Sequence, residues 1–349
     1  MNRTEKEKAV IRKKGGRKWY KSLLRSPLFR MAVSIGLLLI ILSRLNLRDL
    51  GETLARVDPA LLTLSGVIFL VANMVSVFKW RIVIRAQQQE QSSAKRHISY
   101  FYLTSLFYIG LFFSNFLPTN FGGDFIKAWK LGKATGLPAE AAGSVVADRV
   151  SSTIALLMMA IVPALIEVRL LGNGIAIMVI AMFIVSLVMV GLFVSERAAR
   201  KLGRFPVLRA DYYGLRKHLK SFYYSLYDLR KRPYTLVAVM LISIVYQGLA
   251  VMQVYVLALS LGIHVSLIYF FLIFPVVIAV GMIPVSLNGI GVREGATVFL
   301  FGQVGVPATE AFSMSLLGLL VITVISLAGG VFYLFDRAAP IAGEENGTV

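Results

Sequence analysis

The chain has 349 residues, of which 57% are hydrophobic, and it carries a formal net charge of +19 at pH 7. Soluble domains are about 45–50% apolar, so this composition excludes an ordinary soluble domain. The absence of cysteine excludes disulfides, thiol nucleophiles and cysteine metal sites.

Eight apolar runs follow one another along the chain, each close to the ~20 residues that cross a bilayer as a helix. They show no alternation of polar and apolar residues, which excludes the strands of a β-barrel. The sequence therefore predicts an all-α polytopic membrane protein with a single transmembrane domain over residues 28–337. The runs cover residues 28–46, 60–78, 98–117, 144–166, 173–195, 234–261, 266–287 and 309–335.

Basic residues concentrate in three segments that flank apolar runs. Of the 37 lysines and arginines, 27 lie in residues 1–30, 79–96 and 197–232. Cytoplasmic loops of membrane proteins carry this excess. We therefore predict a multi-pass protein of the cytoplasmic membrane, with cytoplasmic tails at residues 1–27 and 338–349. The expected partners of the basic segments are anionic phospholipid head groups rather than nucleic acid.

The loop at residues 196–233 decides between two topologies. Eight full crossings would place this basic loop outside, which the charge rule disfavours. The alternative is that the run at 98–117 breaks within residues 115–123 and returns to the cytoplasmic face, where Lys127, Lys130 and Lys133 would meet the cytoplasm. Six full spans and two re-entrant helical hairpins then place the loop inside, and we favour this arrangement.

An internal repeat supports the second hairpin. The stretch Pro118–Asp124 resembles Pro284–Glu294, and Gly136-Leu-Pro-Ala later matches Gly305-Val-Pro-Ala. Order and spacing together indicate a true repeat, whose halves would have opposite orientation in the membrane. Inverted repeats with broken helices are a pointer to a transporter site near the bilayer midplane. The predicted halves are about 98–195 and 266–335, with the basic loop 196–233 between them.

Ionisable residues at membrane depth are costly and usually face a polar pathway or a partner. Asp124 is either a helix N-terminal acid or a site residue that pairs with Arg149 or Arg293, and Asp148-Arg149 is either an interfacial ion pair or part of the site. Lys79-Trp80-Arg81 is interpreted as an interfacial aromatic flanked by cations. The candidate substrate-binding residues are Asp124, Lys127, Arg149, Arg293, Glu294, Asn120 and Asn288. The candidate helix breaks are Pro118, Gly122, Gly123, Pro284, Gly289 and Gly291.

At residues 115–133, Ala147-Asp148-Arg149 and 283–294, the chain resembles the membrane domain of the lysylphosphatidylglycerol synthase/flippase family, which includes stand-alone YbhN-like proteins. The resemblance covers residues 28–337 and implies a domain that flips or handles lipids. Full-length synthases in that family carry a catalytic domain after this region. We therefore expect no enzyme activity, no catalytic residue, no metal and no cofactor in this chain.

The leading hypothesis is a lipid transporter that handles phospholipid or related polar lipid head groups. The alternative is a non-catalytic membrane partner of a separate lipid-modifying enzyme or lipid-linked glycosyltransferase. An intramembrane transferase is a third hypothesis, disfavoured because no donor-binding motif is present.

Overall fold

The computed structural model describes residues 27–91, 98–116, 122–161, 163, 184, 232–282 and 286–335. Within these ranges all regular secondary structure is helical, which confirms the predicted all-α fold. The helices are α1 Pro27–Ser43, α2 Leu47–Ala55, α3 Pro59–Gln91, α4 Tyr100–Phe116, α5 Gly122–Thr135, α6 Pro138–Met159, α7 Pro233–Ser260, α8 Leu267–Gly281, α9 Val292–Gly302 and α10 Ala308–Phe335, with a 3-10 turn at Leu287–Gly289.

Four of the described helices, α3, α6, α7 and α10, are long and apolar enough to cross a membrane. The pair α1 and α2 passes the same test together but bends by 91° between them. The predicted run at 173–195 and the basic loop at 196–233 lie almost entirely outside the described residues. The count of six full spans therefore stays a prediction.

Residues 47–59, between the first two apolar runs, carry mixed charges that would suit an external loop, but Leu47–Ala55 forms helix α2. Asn46 caps it by accepting a hydrogen bond from the backbone N–H of Arg48. Glu52 lies within 3.2 Å of Arg48 and 3.7 Å of Arg56, one turn away on either side. The opposite charges that suggested a loop are thus the exposed side of an amphipathic helix.

Helices α3 and α7 form a long antiparallel pair along the centre of the molecule. The backbone N–H of Asp58 donates to the carbonyl of Ser260 over 2.8 Å, and the Gln253 amide donates to Ser65 Oγ over 3.0 Å. Near the other end of α3, Val83 and Val239 belong to one buried cluster. In eight alternating crossings these two helices, the second and sixth runs, would point the same way. Their antiparallel packing argues against that topology.

Helix α6 also runs antiparallel to α3. Trp80 donates to Ser144 over 3.0 Å near the start of α6, and Lys79 bonds to the carbonyl of Asp148 one turn later. Eight crossings would make these helices, the second and fourth runs, parallel. The same observation therefore argues against eight crossings a second time.

Two short helical hairpins, α4–α5 and α8–α9, pack between the long helices. Their arms contain 17, 14, 15 and 11 residues, or roughly 17–26 Å at 1.5 Å per residue. Each arm is shorter than the ~30 Å hydrocarbon core of a bilayer. The lengths suit hairpins that enter the membrane and return to the same face.

The second arms of the two hairpins run towards opposite ends of α3. Along α5, Leu131 packs with Ile84, and Thr135 lies in the same small crevice as Gln87 near the end of α3. Hairpin α8–α9 instead begins seven residues after Ser260, which bonds to the start of α3. The hairpins thus enter the bundle from opposite ends, as an inverted repeat requires.

The two copies of the Gly-x-Pro-Ala signature adopt the same conformation. Gly136 and Gly305 have φ of 73° and 86°, the left-handed region that glycine enters without a steric penalty. Pro138 then opens α6, and Pro307 immediately precedes α10. Each hairpin is therefore followed by a tight turn and a long helix.

The antiparallel packing of α3 and α7 can be tested by cross-linking, since the chain has no native cysteine. The pair Ser65→Cys/Gln253→Cys should form a disulfide in native membranes, because the two side chains are hydrogen-bonded. The control pair Ser65→Cys/Val239→Cys joins positions that a parallel arrangement would bring together. A faster cross-link in the control than in the test pair would contradict the structure.

Candidate functional site

A cavity of about 330 Å3 lies between the two hairpins and helices α3, α6, α7 and α10. Most of its wall is apolar and includes Phe69, Leu111, Val254, Phe274, Ile278 and Ile322. Five ionisable side chains also line it: Asp124, Lys127, Asp148, Arg149 and Arg293. Ligand sites are commonly cavities of this kind, with apolar walls and a few placed polar groups.

Asp124 links the first hairpin to helix α6. Asp124 lies in the first turn of α5, and its side chain is 9% exposed. One carboxylate oxygen is 2.8 Å from Lys127 Nζ, and the other is 2.5 Å from Arg149 Nε. The predicted pairing of Asp124 with Arg149 is therefore present, and one carboxylate is shared between two cations.

Arg149 presents its guanidinium to the cavity. Its side chain is 46% exposed, because part of it forms the wall of the cavity. Only Nε is engaged with Asp124. Among the described residues, the two terminal nitrogens have no hydrogen-bond partner. This fork is available to a bidentate ligand.

Lys127 is buried, which corrects the expectation that it meets the cytoplasm; for Lys130 and Lys133 that expectation stays a prediction. Its Nζ lies 5.0 Å from the Phe107 ring centre and 5.6 Å from that of Trp80. Cation–π contact and the Asp124 carboxylate together offset the cost of placing an ammonium group there. The residue borders the cavity, and its role in substrate binding stays a prediction.

A second buried ion pair, Lys79–Asp148, lies beside the first. Lys79 Nζ is 3.0 Å from the Asp148 carboxylate, and it also bonds to the Asp148 carbonyl and to Ser152 Oγ. The Lys79 side chain has no exposed surface. The interfacial interpretation of Lys79-Trp80-Arg81 was therefore wrong for Lys79 and Trp80, because α3 continues to Gln91 and carries both inside the protein.

The spacing of polar residues in α3 could have predicted that Lys79 is buried. Asn73, Ser76 and Lys79 recur every three residues in an otherwise apolar run, and all three are buried on one face of α3. Polar residues on one face of a transmembrane helix usually face the bundle interior. This spacing is visible in the sequence, but it predicts a buried Lys79 only if the helix continues beyond this residue, as α3 does.

The neighbours Asp148 and Arg149 do not pair with each other. Asp148 binds Lys79 on α3, while Arg149 binds Asp124 on α5. Adjacent residues on a helix point about 100° apart, so each reaches a different neighbour. The interfacial anchoring alternative for Asp148-Arg149 is not what the structure shows.

The second hairpin contributes Arg293, from the first turn of α9. Glu294 lies next to it but does not border the cavity. Its carboxylate accepts from the N–H of Gly291 over 2.5 Å and lies 3.4 Å from Arg293 Nη2, and Ser315 approaches to 3.5 Å. The structure thus gives Glu294 a helix-capping role at the tip of the hairpin.

Left-handed backbone conformations produce the break before α9. Asn288, Gly289 and Gly291 have φ of 50°, 77° and 86°. A Cβ on Gly291 would lie 2.7 Å from the Cβ of Leu37 in α1, so glycine allows both the turn and the close packing. Asn288 does not border the cavity, and Pro118, Asn120 and Pro284 lie outside the described residues.

The first hairpin depends on close backbone contact instead. A Cβ on Gly123 would overlap the Gly110 carbonyl and Ser114 Oγ. Gly122 and Gly123 are both buried within α5, so they lie in the helix and not in the break itself. In the described residues no group of three His, Asp or Glu side chains could hold a metal ion.

Residues 28–330 match the family described as the lysylphosphatidylglycerol synthase TM region. The chain belongs to this family. Two relatives from Methanothermobacter thermautotrophicus (strain Delta H), each named a UPF0104 membrane protein, are similar to it. One is 24% identical over 75% of this chain and 81% of its own length, and the other 23% identical over 82% and 87%. No solved structure matches the chain.

Membership in the lysylphosphatidylglycerol synthase TM region family makes this a multi-pass membrane protein related to the membrane part of that synthase. The matched range contains both hairpins and all five ionisable residues of the cavity. The site therefore lies within the family domain and not in an added segment.

The buried pair Lys79–Asp148 should be essential for stability. Asp148→Asn leaves an uncompensated buried ammonium and should lower the free energy of unfolding by about 3–5 kcal/mol, measured by denaturant titration in detergent. Adding Lys79→Met to Asp148→Asn should recover most of this loss. The control Glu52→Gln removes an exposed pair and should cost less than about 1 kcal/mol. Equal losses in Asp148→Asn and Glu52→Gln would contradict the assignment.

The close contact between α4 and α5 should not tolerate added side-chain volume. Gly123→Ala places a methyl group against the Gly110 carbonyl, and we expect a loss of about 1–3 kcal/mol from overpacking and a lower melting temperature. Gly51→Ala is the matched control, since nothing lies within 4 Å of its Cβ position. It should be neutral or slightly stabilising, because alanine favours helix. A fully stable Gly123→Ala protein would show that the hairpin does not pack this closely.

Proposed function

We propose that this protein moves polar lipids, most simply phospholipids, between the leaflets of the cell membrane by binding their head groups in the central cavity. One observation carries the proposal. Lys127, Arg149 and Arg293 converge from both hairpins and α6 on a cavity whose remaining wall is largely apolar. A lipid needs both kinds of surface, a polar one for its head group and an apolar one for its chains.

Phosphate is the head-group element that suits these residues. Arginine offers parallel N–H donors in a planar fork that matches phosphate oxygens. Helices α5 and α9 also begin near the cavity, as Asp124 and Arg293 in their first turns show. Helix N-termini carry partial positive charge and favour anions.

The cavity volume favours binding of the head group alone. A cavity of about 330 Å3 lies at the small end of the ~300–1,000 Å3 range of small-ligand sites, which suits a polar head group. The chains would remain in the bilayer beside the protein, while the apolar wall covers only their first carbons.

Opposed hairpins provide a route for alternating access. The two hairpins enter from opposite ends of the bundle, and each contributes cations to the same cavity. Rocking of one repeat against the other would open the site first to one leaflet and then to the other. The fixed groups at the centre would then serve both states.

The orientation follows from charge. The N-terminal tail and the basic segments would lie on the cytoplasmic side, where they would contact anionic head groups of the inner leaflet. A role as non-catalytic partner of a lipid-modifying enzyme needs no such cavity, so the cavity favours transport.

Transport should be measurable in liposomes that contain the purified protein and a fluorescent phospholipid. Quenching of the outer leaflet should consume most of the label when wild-type protein is present, and about half without protein. Arg149→Gln should slow this movement at least about tenfold, because a charge-assisted contact to phosphate is lost. Asp124 keeps Lys127 as a partner in this variant, which limits damage to folding.

Arg48→Gln is the matched control, since Arg48 is exposed on α2 and does not line the cavity. It should transport at the wild-type rate. Equal rates for wild type and Arg149→Gln would reject the site. No movement of any lipid class by folded wild-type protein would reject transport, and co-purification with a lipid-modifying enzyme would then support the partner role.

A further inference from the structure

The charged cluster around the cavity carries an excess of one positive charge. Among the described residues it contains four cations and three anions, which gives a formal charge of +1. The cations are Lys79, Lys127, Arg149 and Arg293, and the anions are Asp124, Asp148 and Glu294. An ion enclosed by protein and lipid needs a partner more than an exposed ion does. The imbalance therefore indicates what the missing partner should be.

Each carboxylate of the cluster already has protein partners. Asp124 is held by Lys127 and Arg149, and Asp148 is held by Lys79. Glu294 accepts from the backbone N–H of Gly291 and lies beside Arg293. A ligand ammonium group would have to displace one of these cations to reach an acid.

The aromatic rings near the charged side are similarly engaged. Lys127 lies over Phe107 and Trp80 at 5.0 and 5.6 Å, and Lys79 lies over Tyr246 at 5.7 Å. Aromatic faces are the usual alternative site for a ligand cation. These three already face protein ammonium groups.

Arg149 is the cation of the cluster that is most open to an anion. It shares its one carboxylate with Lys127, almost half of its side-chain surface is open to the cavity, and its terminal nitrogens lack partners among the described residues. A phosphodiester carries one negative charge and offers two oxygens to such a fork. Its charge would bring the cluster to neutrality.

We propose that the cavity selects lipids whose head group carries a single net negative charge on a phosphodiester, and discriminates against zwitterionic and cationic head groups. This rests on the proposed function, but it concerns substrate choice and can fail separately. A lysyl ester of phosphatidylglycerol, with two ammonium groups and one phosphate, would bring an extra positive charge into an already positive site. Like charges brought together without solvent are disfavoured.

The test compares three lipids that share one labelled acyl chain: phosphatidylglycerol, phosphatidylcholine and lysylphosphatidylglycerol, with net charges of −1, 0 and +1. Wild-type protein in liposomes should move the first at least about tenfold faster than the others. Equal rates, or faster movement of the cationic lipid, would overturn the charge selection and leave transport standing. No movement of these three or of any other lipid class would reject the proposed function instead.

A charge insertion tests the same point from the protein side. Thr153 lines the cavity one turn after Arg149, so Thr153→Glu lowers the formal charge of the cluster from +1 to 0. It should reduce the preference for phosphatidylglycerol over phosphatidylcholine at least about fivefold. Thr153→Gln adds the same bulk without charge and should keep the wild-type ratio. Equal ratios in both variants would overturn the proposal.

Thermal stabilisation of wild-type protein in detergent provides a readout that needs neither transport nor a folded variant. Phosphatidylglycerol should raise the melting temperature more than phosphatidylcholine, and lysylphosphatidylglycerol should raise it least. The reverse order would overturn the selection. Soluble glycerol phosphate separates a lipid from a free phosphate compound. Stabilisation by it as strong as by phosphatidylglycerol at equal concentration would overturn the lipid assignment.

Discussion

The arrangement of the central site depends on one carboxylate shared by two cations. Asp124 binds Lys127 on its own helix and Arg149 on α6. An isolated charge within a membrane protein is costly, so each of these groups requires the others nearby. The contact fixes the first hairpin against α6, and it orients Arg149 so that Nε faces Asp124 while the terminal nitrogens lack partners in the part of the chain that the structure describes. The contact with Asp124 therefore both positions the Arg149 guanidinium and leaves its terminal nitrogens facing the cavity.

Two short hairpins enter the bundle from opposite ends, and residues of both line the central cavity. The described arms of the two hairpins have 17, 14, 15 and 11 residues and are shorter than the ~30 Å hydrocarbon core, which suits a chain that turns inside the membrane. Backbone groups at such turns are tolerated only beside protein or a water-filled cavity. The break before α9 meets this requirement by packing Gly291 against α1 and by capping its N–H with Glu294. A cavity between the tips follows from the same constraint that limits where helices can break.

A lipid requires both a polar and an apolar surface, so the proposed function accounts for the positive excess and the largely apolar wall of the cavity together. Membership in the lysylphosphatidylglycerol synthase TM region family relates the chain to the membrane part of that synthase. Under the proposed function, the positive cluster would suit an anionic lipid better than a lysylated one.

The sequence by itself determined the all-α membrane fold, because hydrophobic run length directly reflects bilayer thickness. It also predicted the repeat and singled out Asp124, Lys127, Arg149 and Arg293, which line one cavity, because ionisable residues in apolar runs are rarely tolerated without a role. Only the tertiary structure decided the pairing. Asp148 and Arg149 are adjacent in sequence yet bind different helices, and Glu294 turns away from the cavity to cap α9. Lys79 seemed interfacial until α3 was seen to continue beyond it. The ion-pair partner of a buried side chain depends on which helix faces pack together, and the local sequence does not specify that packing.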